Sequence, residues 1–311
     1  MSELNLRGNV VDAQQAGVLR FFGPARVGLY AGCVRSMNRE MVSELVRYRG
    51  LLGMLAWRDI RVRYKQSIMG VAWAFLLPLI QTLVLYSIFS FGMRGMGASI
   101  KDNIEPVGMP YFLFVLSGMI PWTFFAGGVC MSIESLTRNS RLVTKIYFPR
   151  EVFPLGSVMA SLVDLAIAMW VFIPFYVYFV SAGKVTFSAT LLLLPAVLLI
   201  QVLFVSGLAL ILSMANLFFR DVKYIMTFVL QLWFFATNVM YPIKFESYPA
   251  LKFIVYANPM IPILEAYRYL IMGQMPQNVV GLSIAAVIAA VTFVVGWRVF
   301  HRAEFKFAEY L

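Results

Sequence analysis

An all-α integral membrane protein is the fold class this sequence predicts, and three observations predict it. Hydrophobic residues make up 61% of the 311-residue chain and charged residues 13%, about half the roughly 25% charge of a soluble domain. The mean hydropathy is +0.79. Apolar runs long enough to cross a ~30 Å hydrocarbon core recur along the chain, and short segments holding the cations separate them. The pattern predicts six transmembrane helices, an N-terminal amphipathic interface helix, and short re-entrant helices between spans five and six.

Residues 1–43 form a glycine-containing, arginine-rich extension with no sustained periodicity. Residues 44–67 form an interface helix that feeds the first span. In it Trp57, Ile60, Tyr64 and Ile68 recur at helical spacing, with Arg58, Arg61 and Lys65 one position behind. Residues 60–65 also alternate apolar and cationic, as a strand would. An open strand edge at a bilayer leaves backbone groups unpaired, so the helix is favoured.

The 68–311 region holds the spans. Span one lies within 68–93 and contains Pro78, which kinks it or ends a preceding turn. A charge-balanced loop follows, with Arg94 and Lys101 against Asp102 and Glu105. Spans two, three and four occupy 110–133, 152–182 and 185–219, and span five 224–240. The basic loop 134–151 joins spans two and three; Arg220, Asp221 and Lys223 lie between spans four and five. In the 244–273 region the apolar piece 253–264 is interrupted by Asn258, Pro259 and Pro262. It is too short to cross, which predicts re-entrant or interfacial helix. Span six is 279–297, followed by a basic tail.

Twenty of the 26 Lys and Arg residues fall on the side of the N-terminus and the basic loops. That asymmetry orients both termini to the cytoplasm. The net charge of +11 therefore reads as topology rather than as a nucleic-acid surface. Two cysteines, Cys33 and Cys130, imply no disulfide framework. The first 50 residues lack the compact apolar run of a secretory signal.

For a transporter the next question is energy. No Gly-x-x-x-x-Gly-Lys-[Ser/Thr] loop occurs, so the chain does not cradle ATP in that way. The spans hold almost no ionisable groups for proton or ion coupling, Asp164 excepted. Together these describe the passive half of a machine powered by another subunit. Asp164 reads either as a tie to a neighbouring helix or as a group lining a path or meeting a lipid phosphate. His301 reads as a solvated residue beyond the last span. No metal-ligand cluster and no Ser/His/Asp set is visible, so a catalytic reading is weak.

The cations Arg58, Arg61, Arg63 and Lys65, with Tyr64, are candidates for meeting a lipid-linked phosphate at the substrate access point, and also serve as a positive-inside flank. Trp122, Phe124, Phe125, Trp170, Tyr176, Trp233, Phe234 and Tyr241 are candidates for an aromatic channel lining, since ring faces with a hydroxyl or indole handle suit sugars. The competing reading for the same rings is interface belt and packing.

The stretch 58–67 with Gly70, Trp73 and Pro78 resembles the start of the membrane subunits of ABC-2-type polysaccharide exporters, the group that moves O-antigen, capsule and teichoic-acid polymers. Residues 121–125 (Pro-Trp-Thr-Phe-Phe), 145–150 (Lys-Ile-Tyr-Phe-Pro-Arg), 220–224 (Arg-Asp-Val-Lys-Tyr) and 258–260 (Asn-Pro-Met) are similar to its other landmarks, in order. The resemblance covers about 44–311 and implies a homodimer bound to two copies of a nucleotide-binding ATPase subunit. On this similarity ATP and Mg belong to the partner, and this chain carries no cofactor of its own. Arg138, Arg141, Lys145, Tyr147 and Phe148, with Arg220 and Asp221, become coupling residues toward that ATPase. The substrate implied is an undecaprenyl-diphosphate-linked polysaccharide, exported across the bacterial inner membrane through a path at the dimer interface. Two departures stand out: the 1–43 extension, and Ala236-Thr237-Asn238 where a Ser-Pro pair is common. Small-molecule efflux by the same class of machine, and a membrane transferase acting on lipid-linked sugars, are the alternatives.

Overall fold

The structure is a computed structural model that describes residues 49–65, 70–95, 109–140, 142, 149–241, 256–303 and 307. The 1–43 extension, Arg141, Lys145, Tyr147, Phe148 and the first part of the 244–273 region lie outside the described residues. Among those described, all regular structure is helical. In chain order the helices are α1 Arg49–Lys65, α2 Ala72–Gly95, α3 Tyr111–Ile133, α4 Ser135–Arg138 and α5 Val152–Ser181. They continue with α6 Leu194–Phe218, α7 Val222–Phe235, α8 Met260–Ile271 and α9 Val279–Ala303.

Five of these are long and apolar enough to cross a membrane: α2, α3, α5, α6 with the 3-10 turn before it, and α9. Their limits follow the sequence-predicted spans within a few residues, because a backbone without water must close its hydrogen bonds within one helix. Helix α7 differs. Its 14 residues rise ~21 Å, less than the ~30 Å core, whereas the sequence carries the apolar run on to Met240. The helix stops at Phe235 and the chain turns through Thr237, whose hydroxyl donates to the Trp233 carbonyl at 2.7 Å.

Helix α3 is the centre. It is buried along nearly its whole length and packs against α2, α5, α6, α7 and α8. Pro121 sits inside it without ending it. The buried Gln201 of α6 donates to the Pro121 carbonyl at 2.8 Å and accepts from the Tyr267 hydroxyl at 3.1 Å. One amide thus joins α3, α6 and α8, the kind of interhelical polar tie that a membrane bundle uses where the hydrophobic effect is weak.

Helix α6 packs most extensively on α9, and small residues make that possible. A Cβ on Gly207 would lie 2.6 Å from the Phe293 nitrogen, and one on Gly296 2.6 Å from the Gly207 carbonyl oxygen. The backbones therefore touch. Two of the three positive-φ glycines among the described residues end helices. Gly183 (φ 67) ends α5 and Gly273 (φ 78) ends α8, and each is followed by a residue whose N–H reaches back to the last helical turn, Lys184 to Phe179 and Gln274 to Tyr269. Glycine reaches that conformation without steric penalty.

Helix α8 occupies the end of the 244–273 region and is almost wholly buried. Asn258 prepares it. Its Oδ1 accepts from the Met260 N–H at 3.1 Å and from the Trp233 indole at 2.9 Å, while its Nδ2 donates to Thr237 Oγ1 at 3.1 Å. The Asn-Pro-Met landmark is thereby a helix-starting device tied to the end of α7. Thr237, at the departure from the Ser-Pro pair, is the partner that completes it. His301, expected to be solvated, lies within α9 and approaches the buried Glu151 at 3.2 Å, where α9 meets the start of α5.

Candidate functional site

A cavity of about 1050 Å3 lies between α2 and α7 with α3 as its back wall. Its lining is mainly apolar: Leu77, Val84 and Leu85 from α2, Met119, Trp122 and Phe124 from α3, Leu230 and Phe234 from α7. The charged side chains in its wall sit together with a tyrosine, Arg63 and Tyr64 at the end of α1 and Asp164 in α5. Such a space, apolar with a few convergent polar groups, has the general form of a ligand site.

The polar end is built by two helices far apart in sequence. The Asp164 carboxylate is gripped on both oxygens: Arg63 Nη1 donates to Oδ2 in a close ion pair, and the Tyr64 hydroxyl donates to Oδ1 at 2.6 Å. Asp164 thus ties α1 to α5 and also stands in the cavity wall. Burial pulls the Arg63 guanidinium below its ordinary pKa and lifts the Tyr64 phenol above its own. Within that burial Arg63 Nε and Nη2 have no acceptor among the described residues.

Which face of α1 is buried differs from the sequence pattern. The sequence reads the Trp57, Ile60, Tyr64 stripe as the apolar side of an amphipathic interface helix; it is not the side buried in the protein, and Trp57 is 61% exposed. The buried side instead carries Leu55, Ala56 and Asp59. Gly156 of α5 lets this face approach, with the Leu55 Cβ within 3.6 Å of where its own would stand. The physical reason is the solvent. Apolar side chains lose little by facing lipid, whereas a carboxylate must find partners. Asp59 finds three: Arg58 at 2.8 Å, Arg138 of α4 at 3.3 Å and the Ser157 hydroxyl of α5 at 3.4 Å.

The five polar candidates of α1 therefore separate. Arg63 and Tyr64 line the cavity, Arg58 pairs with Asp59, and Arg61 and Lys65 are exposed, with Arg61 6.0 Å over the Trp57 ring. Of the eight aromatic candidates, Trp122, Phe124 and Phe234 line the cavity. Phe125 is fully buried, stacked on Phe204 at 5.8 Å and edge-on to Trp233 at 5.2 Å. Trp233 is held by Asn258, and Tyr176 is buried against Phe172. Trp170 is 78% exposed, and the Tyr241 hydroxyl donates to the Phe235 carbonyl. Among the coupling candidates, Arg220 and Asp221 are exposed on the turn before α7, while Arg138 is engaged with Asp59.

Two residues that the sequence pattern did not single out matter here. Asp59 was hidden among cations, although an acid in a basic run is itself a pairing signal. Arg268 falls among the six cations left on the external side by the charge asymmetry, yet it is buried, its guanidinium 3.6 Å from the Phe114 ring centroid and its Nη2 donating to the Val239 carbonyl at 3.0 Å.

This arrangement can be set beside known proteins. Residues 50–272 match the ABC-2 type transporter family. The chain is 30% identical over 271 residues to the O-antigen export system permease protein RfbA of Myxococcus xanthus, covering 87% of this chain and 98% of that protein. It is 31% identical over 282 residues to RfbA of Klebsiella pneumoniae, covering 88% and 100%. The polysialic acid transport protein KpsM of Escherichia coli is 23% identical over 248 residues, covering 79% of this chain and 91% of that one. A match over most of the chain, with relatives aligned along nearly their whole length, shows that the chain belongs to the ABC-2 type transporter family.

Proposed function

We propose that this chain is the membrane subunit of an ATP-driven exporter that moves a lipid-linked polysaccharide across the bacterial inner membrane. The observation that carries the proposal is the cavity between α2 and α7. It offers a long apolar and aromatic wall for an isoprenoid or a sugar face, and one cationic and phenolic end beside the interface helix for the phosphates. Relatives named as O-antigen export permeases support the same substrate class, and the polysialic acid relative widens it to capsule-type polymers.

In this reading the substrate is an undecaprenyl-diphosphate-linked glycan, and exposed Arg61 and Lys65 draw the headgroup toward Arg63 at the polar end of the cavity. The chain crosses the membrane six times with both termini inside, α7 and the turn after it forming the fifth crossing. Two copies pair, and two copies of a separate ATPase subunit hold ATP and Mg. The basic loop 134–151 and the Arg220–Asp221 turn receive the ATPase stroke. No nucleic acid takes part, and the chain itself catalyses no reaction.

Deleting the gene tests this. Export of a lipid-linked glycan requires polymer to accumulate in the cytoplasm and surface polymer to fall; normal surface polymer overturns the reading. Loss of resistance to a small toxic compound with surface glycan unchanged would transfer the chain to the efflux alternative.

A further inference from the structure

We propose that Asp164 is a built-in competitor of the substrate: it occupies Arg63 when the site is free and gives that arginine up to an arriving diphosphate, so that it sets both affinity and release. This rests on the export reading and deepens it. Three observations support it. Asp164 takes the Arg63 Nη1 donor that a phosphate of the ligand would take, and holds a second donor of its own in the Tyr64 hydroxyl. The pair stands in the cavity wall rather than behind it. Finally, the resting arrangement leaves Arg63 poorly satisfied, because Nε and Nη2 are buried with no acceptor among the described residues.

That last point decides the direction. A guanidinium prefers two acceptors on its flat edge, and phosphate oxygens match it in a bidentate way. One carboxylate on Nη1 alone leaves buried donors unmet, which favours exchange for a ligand that meets them. After the exchange Asp164 is not stranded: the Tyr64 hydroxyl still donates to Oδ1, and its side chain is 21% exposed. When the headgroup moves on, the carboxylate closes on Arg63 again. A site with a fixed free arginine would hold a diphosphate too long for a transporter; a resident carboxylate lowers that affinity.

The test uses the full chain with its ATPase partner in phosphatidylcholine nanodiscs, with farnesyl diphosphate as the probe. If Asp164 competes, Asp164→Asn binds the probe about tenfold more tightly than wild type, as for 1.4 kcal/mol of competition removed. Arg63→Gln binds more weakly, and the double variant resembles Arg63→Gln because Asp164 acts through Arg63. Tyr64→Phe weakens binding in the presence of Asp164, since the displaced carboxylate then loses its remaining donor; this arm stands even where Asp164→Asn does not fold. Unchanged or weaker binding by a folded Asp164→Asn overturns the proposal and leaves the export reading intact. Equal tightening by Asp164→Asn in the Arg63→Gln background also overturns it, since the effect is then general charge. Displacement of the probe by phosphatidylglycerol at equal mole fraction assigns the site to bulk anionic lipid and overturns the substrate role. Surface glycan in the deletion strain reports separately on the export reading.

Discussion

Arg138 reaches from α4 to place its Nη2 3.3 Å from Oδ2 of Asp59 in the interface helix. A residue of the basic loop that the proposed ATPase would push is thus bonded to the helix that carries the proposed access site. Movement of α4 has a short route to α1, and Ser157 of α5 lies on the same carboxylate oxygen at 3.4 Å.

Asp59→Asn is expected to lower export while leaving insertion intact. Asp59 is 8% exposed but Arg138 is 42% exposed, so the loss in stability is modest, about 1–2 kcal/mol, between the values for surface and buried pairs. The sharper measurement is coupling. ATPase activity of the assembled complex should become less responsive to lipid-linked substrate in Asp59→Asn and in Arg138→Gln, and combining the two should add little. Additive losses would separate the residues.

Arg268 leads to a second expectation. Its guanidinium fills the space where a side chain of Gly118 would be: a Cβ there would lie 2.5 Å from Nη2 and 3.3 Å from the Val239 carbonyl oxygen. Gly118→Ala is therefore expected to destabilise by about 1–3 kcal/mol, as overpacking of a filled core does. Arg268→Gln in the same chain should recover part of that loss by clearing the space. Thermal unfolding in detergent, followed by tryptophan fluorescence, reads both.

How far this was legible in the sequence depends on what hydropathy measures. It measures depth: α3, predicted at 110–133, is Tyr111–Ile133, and α5, predicted at 152–182, is Val152–Ser181. It does not measure rotation. The apolar stripe of α1 marks the helix as amphipathic without saying which side meets the protein; Asp59 turns inward and Trp57 outward. Nor does hydropathy measure where a helix ends. Nothing in the apolar run 224–240 announces a stop at Phe235, because the stop depends on Thr237 and Asn258 meeting across sequence. The aromatic candidates show the same limit, for Trp122 lines the cavity and Phe125, three residues on, is sealed in the core.

Gln201 supplies a third test. It is fully buried and serves both the Pro121 carbonyl and the Tyr267 hydroxyl. Gln201→Leu keeps the volume but leaves the phenol without its acceptor, at about 1–3 kcal/mol. Adding Tyr267→Phe removes the orphan group as well, so the double variant should be more stable than Gln201→Leu alone. A double variant as unstable as the sum of the singles would show that packing, rather than the hydrogen bond, sets the loss.

Glycines give opposite expectations within one bundle. Gly127 lies in α3 on the cavity wall, and a Cβ there would meet nothing within 4 Å. Gly127→Ala should therefore stabilise by roughly 0.5–1 kcal/mol, because alanine loses less backbone freedom in a helix. Gly207 faces the backbone of α9, with Thr292 C and Phe293 N each 2.6 Å from the would-be Cβ. Neither atom can swing aside as a side-chain tip can, so Gly207→Ala must push α6 and α9 apart along their most extensive contact. It should cost more than Gly118→Ala, where the nearest atom belongs to a side chain. Measured side by side in nanodiscs, unfolding temperatures should rank Gly127→Ala above wild type, then Gly118→Ala, then Gly207→Ala. Gly207→Ala at or above wild type would mean that the two helices do not approach to backbone contact.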